Sequence, residues 1–143
     1  MNIKKTIAIN IFLILIYHIA PAQTNKSLIG KWYVDEVIIL KDSFPQDEIE
    51  NLNDLFLSFK SSSFLLGENE KFIFDISLEE MKMPDGKWAY DSINKTLIVT
   101  EIEDSKSILM KINIEQNTFG ETYFILRETP LKLKMRKKEI YTR

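Results

Sequence analysis

Short segments in which apolar and polar residues alternate recur along the chain about every ten residues, with turn residues between them. The clearest segment, 131–137, sets three apolar side chains against three basic ones: Leu131, Leu133 and Met135 against Lys132, Lys134 and Arg136. Because successive side chains of a strand point to opposite faces, this pattern indicates strands with one buried face. Many such strands joined by short turns predict an all-β sandwich or an up-and-down barrel.

We predict eight strands and one helix. The strands are Lys31 to Leu40, Phe64 to Leu66, Lys71 to Ser77, Lys87 to Asp91, Lys95 to Glu101, Lys106 to Ile114, Glu121 to Arg127 and Leu131 to Lys137. The helix lies between the first two strands, from Gln46 to Phe59. Its apolar residues recur at steps of three and four, which is the spacing of one helix face: Ile49, Leu52, Leu55, Phe56 and Phe59.

The first 22 residues have the pattern of a secretory signal peptide. Lys4 and Lys5 precede an apolar run from Ile7 to Ala20, and Ala20-Pro21-Ala22 supplies small residues for cleavage after Ala22. The run is shorter than the roughly 20 residues of a spanning helix, and the chain has no cysteine that could carry a lipid anchor. We therefore expect one domain, 23–143, exported to the periplasm or outside the cell, with no stable membrane anchor after cleavage.

The composition of this domain argues against several classes of function. His18, the only histidine, lies in the signal peptide, and there is no cysteine, so the domain lacks Ser-His and Cys-His pairs and the usual zinc ligands. Without Lys4 and Lys5, 17 basic residues face 21 acidic ones, a net charge of −4 that disfavours nucleic acid as a partner. We expect neither an enzyme nor a metal site nor a cofactor.

Basic residues are concentrated after Pro130, where Glu139 is the only acid: Lys132, Lys134, Arg136, Lys137, Lys138 and Arg143. A basic stripe of this kind can bind anions or membrane surfaces. The simpler interpretation is the solvated face of a strand, on which lysines also discourage edge-to-edge aggregation.

Two stretches resemble a known family. The segment 28–34, Leu-Ile-Gly-Lys-Trp-Tyr-Val, is similar to the Gly-x-Trp signature that opens the first strand of lipocalins. The run Asp-Gly-Lys-Trp-Ala-Tyr-Asp at 85–91, followed by Lys-Thr-Leu-Ile-Val at 95–99, resembles the middle of the small lipocalin-like domains that bacteria export. The resemblance implies an eight-stranded meander barrel, open at one end, that often holds a small apolar molecule. It also implies a structural signature of Gly30, Trp32 and Arg136, in which the arginine covers the tryptophan.

Two functions remain open at this point. In the first, a small hydrophobic molecule binds inside the barrel, and the helix lies across the mouth as a lid over candidate ligand-binding residues: Ile38, Leu40, Leu55, Phe56, Phe59, Trp88, Tyr90, Met110 and Ile112. In the second, the same side chains are core, and the filled barrel is an interaction or structural module of the cell envelope whose protein partner the sequence does not name. An eight-stranded barrel has room for side chains or for one small ligand, so the fold alone allows both.

Overall fold

Eight antiparallel strands close into one barrel, in which each strand pairs with its sequence neighbours and the eighth pairs with the first. The structure, a computed structural model, describes residues 25–40, 49–127, 129 and 131–138. The strands are β1 Gly30–Ile39, β2 Ser63–Leu66, β3 Lys71–Asp75, β4 Gly86–Asp91, β5 Thr96–Glu101, β6 Ile108–Gln116, β7 Thr122–Leu126 and β8 Leu131–Lys138. Helix α1 is Asn25–Leu28, and helix α2 is Ile49–Lys60. The predicted eight-stranded up-and-down barrel with a helix between its first two strands is confirmed.

Some predictions fall outside the described residues. The signal peptide at 1–22 is one of them, and the first three residues of the predicted helix, 46–48, are another. The observed α2 ends at Lys60, one residue beyond the predicted end.

The barrel interior is filled by alternate residues of the strands. In β8, Leu131, Leu133 and Met135 are buried, while the lysines between them lie on the outer face. Phe64 and Phe124, on β2 and β7, are fully buried, with ring centroids 5.6 Å apart. Burying a large apolar side chain contributes about 1.5–3 kcal/mol, so this interior is the main source of stability.

The connections between strands alternate between the two ends of the barrel. At the end where β1 begins lie α1, the β2–β3 turn, the β4–β5 turn and the β6–β7 loop. We call this the closed end. At the opposite end lie α2, the connection 76–85 between β3 and β4, the β5–β6 loop and the β7–β8 turn. We call this the open end.

Trp32 seals the closed end. Its side chain is 5% exposed, its Nε1–H donates to the carbonyl oxygen of Leu28 at 2.8 Å, and its ring centroid lies 5.4 Å from that of Phe124. Gly30, which precedes it, has φ +143°, and a Cβ there would lie 2.7 Å from Cε of Lys137. The Gly-x-Trp pattern thus reflects a backbone that disfavours other residues and a close approach of the last strand.

Lys137, and not Arg136, lies over Trp32, so the prediction for Arg136 is wrong. The Lys137 ammonium is 5.7 Å from the Trp32 ring centroid and donates to the Ser27 carbonyl at 3.0 Å. Lys137 is the cross-strand partner of Trp32, whereas Arg136 is paired with Tyr33 on the outer face. There the Arg136 guanidinium bonds to Asp35 at 3.2 Å.

A β-bulge at Asp35 changes which residues of β1 face inward. The register against β8 shifts between Val34 and Glu36, so both Val34 and Val37 are buried. Ile39 then packs against the core, while Ile38 lies opposite Lys132 on the outer face. Leu40 is 39% exposed beyond the end of the strand. The prediction that Ile38 and Leu40 line the interior is therefore wrong, because it assumed unbroken alternation.

Candidate binding site at the open end of the barrel

The barrel wall is incomplete on one side of the open end. Strand β2 pairs with β1 only between Gly30 and Tyr33, so the rest of β1 pairs with β8 alone. Strand β3 pairs with β4 only at Lys71 and Phe72. The strand ladders around β2 and β3 are thus short, and both end well before the open end. Side chains, rather than strands, therefore cover the interior on this side of the open end.

Helix α2 covers the first of these gaps. Its sequence carries apolar residues at helical spacing, and the helix packs against β1. Phe59 is fully buried, with its ring centroid 5.9 Å from that of Phe74, near the end of β3. The Ser62 hydroxyl donates to the Phe59 carbonyl at 2.7 Å and helps to end the helix. The helix follows β1 at the open end, and Phe59 is buried in the core.

The connection 76–85 covers the second gap. It contains a single 3₁₀ turn, Glu79–Met81, whose two glutamates are exposed. Ile76 is buried, and Leu78, Met81 and Met83 pack against the core while remaining partly exposed. The connection is longer than a hairpin requires. Its apolar side chains form a second cover over the barrel interior, beside α2.

Five of the covering side chains at the open end are less buried than Leu28 and Leu66 near the closed end. Leu55 and Phe56 on α2, like the three apolar side chains of the connection, are only partly buried. By contrast, Leu28 and Leu66 near the closed end are completely buried. The open end is therefore the place where apolar contact area is still available.

One polar group also lies at the open end. The Thr129 hydroxyl, in the β7–β8 turn, is buried and has no hydrogen-bond partner, alone among the buried side-chain oxygens and nitrogens of the described residues. Buried hydroxyl groups are normally satisfied, and none of the described residues supplies a partner for this one.

The structure brings only part of the predicted site together. Leu55, Phe56 and Phe59 are at the open end, and Met110 is in the half of β6 nearer to it. Ile112 is fully buried in the core. Sequence reasoning did not single out Ile39, Leu78, Met81 and Met83, although two methionines in an overlong connection were a signal for the last two.

Trp88 and Tyr90 lie on the part of β4 that leads to the closed end. The Trp88 indole N–H donates to the Gly67 carbonyl at 3.0 Å, in the β2–β3 turn of the closed end. Tyr90 follows it on β4 and is partly buried against the core. Burial raises the pKa of the Tyr90 phenol, and the charge of Asp91 raises it further. Trp88 is therefore part of the barrel core, and Tyr90 packs against that core.

The predicted basic stripe on β8 is largely neutralised by acids of neighbouring strands. Lys132 bonds to Glu115 at 2.9 Å, and Lys134 bonds to Glu121 at 2.6 Å. The hydrogen bond from Lys134 lowers the pKa of Glu121, and the same bond raises the pKa of Lys134. With Arg136 bonded to Asp35, this face has the character of a solvated strand surface rather than of an anion site.

Among the described residues, no group of acids, histidines or cysteines could hold a metal ion. No described helix combines the length and the apolar character needed to cross a membrane. Comparison of the chain with protein-family models, with curated proteins and with solved structures gives no match.

Proposed function

We propose that the protein is an exported, non-catalytic, lipocalin-like protein that binds a small hydrophobic molecule at the open end of its barrel. The observation that carries this proposal is the difference in burial between the two ends. Leu28, Trp32 and Leu66 near the closed end are buried, whereas five apolar side chains that cover the gaps at the open end are only partly buried: Leu55, Phe56, Leu78, Met81 and Met83. A ligand placed among them gains contacts without breaking a strand ladder.

Two features favour an apolar ligand of modest size. Met81 and Met83 have flexible, polarizable side chains that adapt to irregular shapes. The interior is already occupied by core side chains, so a ligand would sit under α2 and the connection 76–85 rather than deep in the barrel. The Thr129 hydroxyl, which has no hydrogen-bond partner among the described residues, could bond to one polar group of such a ligand.

The alternative is a filled barrel that acts as an interaction or structural module of the cell envelope. Two exposed hydrophobic side chains favour it: Ile93 is 90% exposed and Phe119 is 86% exposed. They lie in the β4–β5 turn and the β6–β7 loop, both at the closed end. Exposed apolar side chains are typical of a contact surface for a protein partner where they form a contiguous patch.

Native mass spectrometry of the protein purified from its own host tests the first function directly. We expect a co-purifying molecule of small mass that is released on denaturation. The second arm is a titration with the uncharged apolar dye N-phenyl-1-naphthylamine, which has no anionic group for basic residues to bind. We expect saturable binding that Phe56→Ala weakens about fivefold, because about 1 kcal/mol of apolar contact is lost.

Leu57→Ala is the matched control for Phe56→Ala. Leu57 is on the same helix but is 63% exposed, so its truncation should leave dye binding unchanged. Absence of both a co-purifying molecule and saturable dye binding would contradict the binding function and favour the filled barrel.

A further inference from the structure

Two basic residues of the outer wall lack the acidic partners that the β8 cations have. Lys111, on β6, and Arg127, just after β7, form no ion pair with any acid in the described part of the chain. The Arg127 backbone N–H donates to the Lys111 carbonyl at 3.2 Å, one step beyond the pair Ile112 and Leu126. The two cationic side chains therefore start opposite each other on the same face, an arrangement that is destabilising when it is left uncompensated.

The Arg127 guanidinium is oriented by neutral oxygens. Its Nε–H donates to Oδ1 of Asn113 at 3.0 Å, and its Nη2 lies 3.5 Å from the Thr96 hydroxyl across β6. Thr96 is only 4% exposed under this cover. Neutral partners fix the planar group without cancelling its charge. A guanidinium held in this way is preorganised to bind an oxyanion through two parallel hydrogen bonds.

The two cations border a depression of about 180 Å³ on the outer wall, whose lining also includes Asp91, Asn94 and Ile98. The Asp91 carboxylate is engaged by its own turn: it accepts hydrogen bonds from the Asn94 side chain at 2.7 Å and from two backbone N–H groups. One acid against two cations leaves a net positive charge. The volume is below the roughly 300–1,000 Å³ of typical organic-ligand sites, and it suits a small anion.

We propose that Lys111 and Arg127, with Asn113 and Thr96 as positioning residues, bind a small oxyanion, either a carboxylate or a phosphate group. The anion would lie between the ammonium and the guanidinium and relieve their repulsion. This site is on the outer wall and is independent of the function proposed for the open end, so either can fail without the other.

Nuclear magnetic resonance titration of the purified protein tests the site, with inorganic phosphate and acetate as separate probes and chloride holding the ionic strength constant. We expect saturable shifts of the backbone amides of Thr96, Lys111 and Arg127 with at least one of the two probes. A response to phosphate alone assigns a phosphate group, and a response to acetate alone assigns a carboxylate. Arg127→Gln should weaken binding about tenfold, because charge-assisted hydrogen bonds are lost.

Arg136→Gln is the matched control, because Arg136 is also on the outer wall but is bonded to Asp35. It should leave the affinity unchanged. If Arg127→Gln fails to fold, Lys111→Gln tests the site instead, because no described side chain bonds to Lys111. Lys111→Gln should also weaken anion binding about tenfold. The proposal is overturned if neither probe gives saturable shifts, or if Arg136→Gln weakens binding as much as the site variants do.

Discussion

The packing of Lys137 against Trp32 ties the last strand to the first at the closed end. The ammonium lies over the indole ring and bonds to the Ser27 carbonyl, so it connects β8 with α1 as well as with β1. Cation–π contacts of this kind contribute about 0.5–1 kcal/mol at exposed sites. Substitution of Lys137 should therefore change the environment of the Trp32 ring.

We expect Lys137→Ala to lower the free energy of unfolding by about 1 kcal/mol and to change the emission of Trp32. The fluorescence measurement requires a Trp88→Phe background, so that Trp32 is the only tryptophan. Arg136→Ala in the same background should leave the emission unchanged, because Arg136 faces outward beside Tyr33. An emission change in Arg136→Ala alone would contradict this assignment.

The alternation of β8 already contained the information that Lys137 faces inward. Lys137 has the same parity as Leu133 and Met135, whereas Arg136 has the parity of the outward lysines. The family resemblance favoured an arginine over Trp32. The prediction followed the resemblance rather than the alternation of β8. At the scale of single residues, parity within a strand was here the better guide.

Helix α2 depends on one buried side chain more than on its own helical propensity. Phe59 is fully buried and stacks on Phe74, whereas Leu57 on the opposite face of the helix is 63% exposed. A helix of 12 residues is marginal in isolation, so its stability comes from tertiary packing. Removing the Phe59 ring should therefore release the helix and leave a cavity.

We expect Phe59→Ala to lower the free energy of unfolding by about 3–5 kcal/mol, measured by denaturant titration. Leu57→Ala, on the exposed face of the same helix, should change it by less than about 0.5 kcal/mol. Equal effects of the two substitutions would mean that α2 is not anchored through Phe59.

The strands were predictable because each keeps its alternation over several residues, and most boundaries agree to within two residues. The bulge at Asp35 was not predictable from the sequence. It interrupts the alternation at two adjacent polar residues, and polar residues fit either face of a strand. Its consequence reached Ile38 and Leu40, which the unbroken pattern had placed inside. The cover formed by 76–85 was also missed, because side chains of an irregular connection have no period from which burial can be inferred.

The whole molecule is asymmetric between its ends. At the closed end, the Trp32 indole bonds to α1, and Leu28, Trp32 and Leu66 are buried. At the open end, short ladders of β2 and β3 leave the interior to be covered by α2 and the connection 76–85. Because hydrogen-bonded strands of a closed barrel open together and packed side chains can open locally, the two ends should differ in local stability.

Hydrogen exchange distinguishes a gate from a plug at the open end. If the open end admits a ligand, amides of α2 should exchange faster than those of β5 and β6, and ligand or bound dye should slow them. Strand β6 is the internal reference, because it is paired on both sides in the described structure. If α2 is only a plug for a filled barrel, its amides should exchange at the rate of global unfolding, together with the strands. If the α2 amides exchange at the same rate as the strand amides, and added dye does not slow them, α2 is not a gate. The filled barrel is then the interpretation that accounts for the open end.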